Sequence, residues 1–389
     1  MHFTERSRRC LFQSVLFAAL SSRLAFAGGP LITDSGDPYH WDPPENPVSY
    51  TVDRGSLGPF SNEEALDLVR EAFRTWQSVP TSTISFQYSG TFSEDLTLVN
   101  SASYIQKPGD RINPIIFDDD GSIIDSIRGV GAMDAYLGIT QSYVLDGGQI
   151  IGADMILNGP AIAAHAWSRE KFLAVAVHEI GHFIGLGHSQ LNHQFCADGD
   201  PSNDVYLPTM FPVQSDDDSS LSDLNLDDRY AVSWLYPATS FWSSAGGITG
   251  VVIRHSGLPV QGASVVARKL GDPYRTAVSC VSDFLVRGTG EFEIFGLPYG
   301  QYTVEVEPID PRFYDSSGVG PYAQNERSQS FVNPITPELY NGLRETGDPE
   351  LDDPEDYELI ELDLGEIEEV EIIANEQKTV VHEWRDHLP

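Results

Sequence analysis

The chain has 389 residues, 41% of them hydrophobic and 11% aromatic, and its 58 acidic against 23 basic residues give a formal net charge of −35. This length exceeds what one hydrophobic core usually organises, so two folded domains are expected. So acidic a surface repels nucleic acid and anionic membranes, which excludes them as partners and suits solubility outside the cell or calcium binding.

In chain order, the first element is an export signal. Arg6, Arg8 and Arg9 precede an apolar stretch from Leu11 to Leu20, and Ala25-Phe26-Ala27 is a small-x-small cleavage site, so residues 1–27 are expected to be a signal peptide and the mature protein secreted, extracellular or periplasmic. That stretch and every later one is too short to span a bilayer, so no integral membrane segment is expected in the mature chain. Cys10 would leave with the signal. Cys196 and Cys280 remain, in different expected domains, and either pair or stay as thiols.

A Pro-rich lead, residues 28–46, reads as irregular. VSYTVD alternates apolar and polar residues as a strand does, and a helix follows from about Asn62, capped by Ser61 or Asn62, with Ala65, Leu66, Val69, Ala72, Phe73 and Trp76 at helical spacing. Further strands are expected at ISFQYSG, at NPIIFDD (113–119), at GITQSYV (138–144) and at IIGADMILN (150–158). Ser168 can cap a second helix, REKFLAVAVHEIGHFIGL, apolar nearly all round and therefore a core helix. A polar passage leads from Ser189 to Asp218, and a third helix, LNLDDRYAVSWLYP, ends by Pro237. This order predicts an α+β domain over residues 47–238. From Gly246 the pattern changes to short strands with regular Gly and Pro punctuation (ITGVVIR, ASVVARK, GEFEIFGLPYGQYTVEVEP), predicting an all-β domain over 245–376 and a tail over 377–389. An acidic, Pro-rich insertion near 312–356 interrupts it with a composition that suits disorder. TPELYNG, ELIELD and EVEIIAN can then complete the domain.

The chemistry concentrates in HEIGHFIGLGH, residues 178–188. His178 and His182 lie about one turn apart on a helix and can share a metal, while Glu179 beside them can act as general base. Gly185 can take the left-handed conformation that ends the helix and returns His188 as a third ligand. Hydrolysis by zinc requires three neutral ligands, an open fourth position and such a carboxylate. The whole pattern is expected by chance in on the order of one in ten thousand chains of this composition.

With Ser189 after the third histidine, HEIGHFIGLGHS resembles the metzincin metallopeptidases and, within them, the matrixins. The resemblance spans about residues 47–238 and takes in EEALDLVREAFRTW, IIGADMILN and LDDRYAVSWLYP. It implies a twisted, mostly parallel sheet with an antiparallel edge strand, three main helices, and a zinc metalloendopeptidase acting on protein or peptide substrates as a monomer. It also implies a methionine turn beneath the metal, supplied here by Met210 in PTMFP. Two family features are missing: Phe211 and Pro212 stand where some metzincins place an assisting tyrosine, and the short lead has no cysteine to block the metal. An extended substrate is expected along GITQSYV, with the loop from Phe211 to Ser222 shaping specificity.

Calcium is the second expected metal, because FDDDGSIID sets Asp118, Asp120 and Asp125 around a glycine; an ordinary acidic turn is the alternative. His193 and Cys196 could bind metal but read rather as surface or disulfide residues, and His165 as structural. In the carboxy-terminal part, Gly250, Pro259, Gly262, Gly290, Phe292 and Pro298 resemble the carboxypeptidase regulatory-like, or transthyretin-like, β-sandwiches. Beside the endopeptidase reading stand a zinc-stabilised extracellular adhesion protein and another zinc-dependent hydrolase.

Overall fold

The computed structural model describes residues 29–42, 47–164, 166–212, 222–310, 319, 335–348, 350–353 and 356–375. The expected signal peptide and tail, His165, and most of both the Phe211–Ser222 loop and the acidic insertion lie outside these residues.

The first half is built on a five-stranded sheet in the order β2-β1-β3-β5-β4, from β1 (Val48–Val52), β2 (Phe86–Thr91), β3 (Pro114–Asp118), β4 (Gly138–Val144) and β5 (Ile150–Asn158). The β1/β2, β1/β3 and β3/β5 pairs are parallel and β4 runs antiparallel to β5, which is the mostly parallel sheet with one antiparallel edge that the resemblance implies. All of β3 and nearly all of β5 are buried, as continuous apolar runs between two covered faces should be.

On one face lie α1 (Asn62–Gln77) and α4 (Arg169–Phe183). Ser61 and Glu64 close a reciprocal capping box on α1. The indole of Trp76 donates to the carbonyl of Val177 at 2.7 Å, locking α1 to α4. The other face is covered by a smaller cluster that includes Phe92, Ile116, Ile124 and Ile156. Two short helices were not anticipated: α2 (Ser122–Arg128), inside the acidic loop, and α3 (Gly159–Ala164). The lead is also more ordered than its composition suggests, for Pro30 bridges Leu186, His40 bridges Gln149, and Trp41 is buried.

After α5 (Leu226–Leu235) come two sheets, one antiparallel and one mixed, in which strand Ile367–Ala374 runs parallel to strand Gly246–Arg254. One has the order β11-β10-β7-β8, with β7 (Ala263–Lys269), β8 (Ala277–Val281), β10 (Gly300–Pro308) and β11 (Glu338–Leu339); β12 (Ile360–Leu362) also pairs with β10. The other, β13-β6-β9, has β6 (Gly246–Arg254), β9 (Glu291–Leu297) and β13 (Ile367–Ala374). β11 falls inside the stretch expected to be disordered and pairs with Glu305 and Val306 of β10. One cluster of buried residues runs through both halves, from Phe73 and Val177 to Val265 and Phe292. Among the described residues no helix is long and apolar enough to cross a membrane.

Candidate metal centre

α4 is buried on nearly every side, which explains its almost uniformly apolar sequence. His178 and His182 project from it one turn apart. The helix ends at Phe183, Gly185 turns the chain with φ of 95°, and a Cβ there would lie 2.3 Å from the carbonyl oxygen of Tyr39. Only glycine fits that turn, which brings His188 back to the other two ligands.

The three Nε2 atoms form a nearly equilateral triangle, with separations of 3.2 Å (His178 to His188), 3.1 Å (His178 to His182) and 3.0 Å (His182 to His188). Ligands on a tetrahedral zinc at about 2.05 Å would be about 3.3 Å apart, so this donor set fits. Its chemistry agrees. The Nδ1 of His178 faces the Thr209 carbonyl at 2.7 Å and that of His182 the Leu186 carbonyl at 2.8 Å. A carbonyl only accepts, so both Nδ1 atoms carry the proton and both Nε2 atoms present lone pairs. Burial, reinforced by the neighbouring His182, pushes His178 down to about 3, and burial also lowers His182, so both rings stay neutral at physiological pH. All three residues are half-buried. Among the described residues this is the only group of three His, Cys, Asp or Glu whose ligand atoms converge.

Glu179 follows His178 on α4, with 6% of its surface exposed. Burial raises its carboxyl to about 7, although the hydroxyl of Thr140 donates to its Oε2 at 2.7 Å. Thr140 belongs to β4, and in the same strand a Cβ on Gly138 would lie 2.9 Å from Cγ of Glu179, so the edge strand borders the carboxylate closely. Sequence reading missed Thr140, whose only signal is a hydroxyl on a strand edge.

Met210 is buried beneath the helix against Gly181, where a Cβ would come within 2.1 Å of its sulfur. Asp228 holds the turn: its carboxylate accepts from the backbone N–H of Thr209 at 2.8 Å and of Met210 at 3.0 Å. Asp227, its neighbour, accepts from the hydroxyl of Ser189 at 2.7 Å. Burial raises Asp227 to about 7 and Asp228 to about 6. Neither is singled out in the sequence beyond its place in the third helix; two adjacent acids in the first turn of that helix are the signal that was available.

The three expected calcium ligands are not drawn into a converging group among the described residues. Asp118 accepts from the N–H groups of Ile123 and Ile124, Asp120 from that of Ser122, and Asp125 from those of Gly131 and Met133. The sequence folds into α2 there, with backbone donors at its two ends on one or both oxygens of each carboxylate. Cys196 and Cys280 are not joined by a disulfide. The ring nitrogens of His193 face Glu307 and Asp310 rather than the triad.

No curated protein matches the chain. Its residues 40–237, more than half of its length, match the family model for matrixin, the M10 peptidases, and they carry the whole of the histidine triad and the methionine turn; the chain belongs to the matrixin family of metallopeptidases.

Proposed function

We propose that the protein is a secreted zinc-dependent endopeptidase in which Glu179 is the general base. The observation that carries this reading is the convergence of three imidazole nitrogens, with the buried carboxylate of Glu179 following the first of them in the chain. His178, His182 and His188 would hold the zinc, which when bound supplies a Lewis acid and lowers the pKa of a coordinated water to about 7. Glu179 takes the proton from the attacking water and passes it to the leaving amine as the peptide bond breaks. The hydroxyl of Thr140 holds one oxygen of Glu179 and leaves the other to the water. An extended peptide pairs with the free edge of β4, which brings its backbone alongside Glu179. No tyrosine follows the methionine turn, so the chain's own contribution to proton transfer rests on Glu179.

Secretion follows from the signal-peptide pattern of residues 1–27. The carboxy-terminal half, read as a carboxypeptidase regulatory-like β-sandwich, supports the enzyme rather than cleaving anything itself. The reading is tested by Glu179→Gln in the full chain. That variant is expected to retain one zinc per chain by metal analysis and to lose at least a thousandfold in cleavage of a casein or peptide-library substrate, since the group that takes the proton from the water and delivers it to the amine is gone. Undiminished cleavage by the zinc-loaded variant would sink the role of Glu179.

A further inference from the structure

The four residues after the third histidine, Ser189 to Asn192, are each 2% exposed or less, although three of them are polar. Buried polar side chains persist only where they are hydrogen-bonded, so their partners say what holds this segment. Those partners lie largely in the carboxy-terminal half. The side chain of Gln190 is satisfied entirely from that half: its amide nitrogen donates to Oε1 of Glu307 at 2.7 Å and to the carbonyl of Pro308 at 3.2 Å, and its oxygen accepts from the N–H of Asp310 at 3.0 Å. Asn192 stands in the left-handed region with φ of 62°. Its side-chain oxygen accepts from the Arg268 guanidinium at 2.6 Å, and its nitrogen donates to the carbonyls of Tyr206 and Tyr274. Leu191 forms a small buried cluster with Val266 and Ala277. Asp227, which accepts from Ser189, also accepts from the backbone N–H of Ser279 at 2.7 Å and from its hydroxyl at 3.1 Å. His188 itself forms a parallel bridge with Val319.

We infer that the carboxy-terminal half is a working part of the metal centre: strands β7, β8 and β10 clamp the segment that carries the third ligand, and Arg268 is its principal positioning residue. His178 and His182 stand on α4, their rings oriented by the carbonyls of Thr209 and Leu186. His188 lies past the helix end, on irregular chain, and its placement is set by what grips residues 189–192. Arg268 suits the task because its fork is already fixed by Glu305, which accepts from Nε at 2.7 Å, and its remaining nitrogen is thus aimed at Asn192. A displaced third ligand leaves a two-histidine site, so the clamp acts on metal affinity before it acts on turnover.

The inference rests on the zinc reading, and one experiment separates the two. Zinc is stripped from the full chain and titrated back against a chromophoric chelator of known affinity. A parent chain that binds no zinc would fail the reading itself. With the parent binding one zinc, Arg268→Met and, independently, Gln190→Met are expected to raise the zinc dissociation constant at least tenfold while melting cooperatively, the range found when partners of metal ligands are removed. Arg268→Lys, which keeps a cationic donor, should recover part of that loss. Ile372→Ala, in the core of β13 and away from the segment, should lower the melting temperature yet leave zinc affinity within twofold. Should Arg268→Met fail to fold, Gln190→Met decides. Zinc affinities within twofold of the parent in the folded variants would overturn the inference, and so would an equal loss in Ile372→Ala.

Discussion

At the scale of single residues, the centre depends on what is left out as much as on what is present. Gly181 sits between the two helical ligands, and the sulfur of Met210 fills the place its side chain would take, with the Trp76 ring 3.1 Å from the same point. Gly181→Ala gains about 1 kcal/mol of helix propensity but forces Met210 and Trp76 apart in a close-packed core, which typically costs about 1–3 kcal/mol. The expected result is a lower urea midpoint together with weaker zinc binding, because the methionine turn also holds Thr209, whose carbonyl orients His178. A variant as stable as the parent would mean that the turn can move aside freely. The same logic explains why Met210 was readable from its place in PTMFP while Gly181 was not: a glycine inside a helix gives no sign in sequence of which atom needs its missing Cβ.

At the scale of elements, the end of α4 shows how a buried helix terminus is satisfied. Its last carbonyls have no partner within the helix and are screened from water, where an unpaired group is costly. Trp41 of the lead donates its indole N–H to the Phe183 carbonyl at 2.9 Å, and Tyr236, just after α5, donates its hydroxyl to the Ile184 carbonyl at 2.7 Å. The N–H of Leu31 reaches the Gly185 carbonyl at 2.8 Å. Trp41→Phe keeps most of the apolar ring and removes the donor, so it is expected to cost about 1–3 kcal/mol in urea denaturation, with the larger effect on amide exchange near residues 183–188. Unchanged protection there would show that another group caps the helix. This element also marks the limit of what was legible beforehand. Strands β4 and β5 and helix α4 could be placed from local pattern alone, since periodicity, a capping serine and a helix-ending glycine are properties of neighbouring residues. Trp41 acting on Phe183 and Ser279 acting on Asp227 are contacts between residues far apart in the chain, and β8, which carries Ser279, is buried throughout and so lacks the alternation that reveals a strand. The acidic loop was ambiguous for a related reason: carboxylates that cap backbone N–H groups and carboxylates that bind calcium look alike in sequence.

At the scale of the whole molecule, the acidic composition is carried partly inside. Burial is the leading cause that raises Glu179, Asp227, Glu307 and Glu345 to about 7, Asp228 to about 6, and Glu293 and Glu338 to about 8. A carboxyl whose pKa is higher in the folded chain than in the unfolded one binds its proton more tightly when folded. Its stabilisation is complete below the ordinary carboxylate range and is lost as pH rises through the folded values, here from about 6 to 8. His178 and His182, lowered by burial, act the other way: their contribution is present above about 6.5 and is lost as pH falls. Below about 6.5 these carboxyls, joined by Asp53, Asp95, Asp118 and Asp154, which burial also raises, therefore oppose the two histidines, and above it the carboxyls act alone. The formal charge of −35 adds self-repulsion in the same direction as the last acids ionise. With zinc removed, so that competition between metal and protons for the histidines plays no part, the urea midpoint is expected to be higher at pH 5.5 than at pH 8, with most of the fall between pH 6 and 8. Asp227→Asn should flatten that slope, because the amide keeps the shape and cannot ionise. A midpoint that rises toward pH 8 would mean that the folded chain holds these carboxylates charged at no cost, and that the two halves are joined by ionised groups rather than by protonated ones.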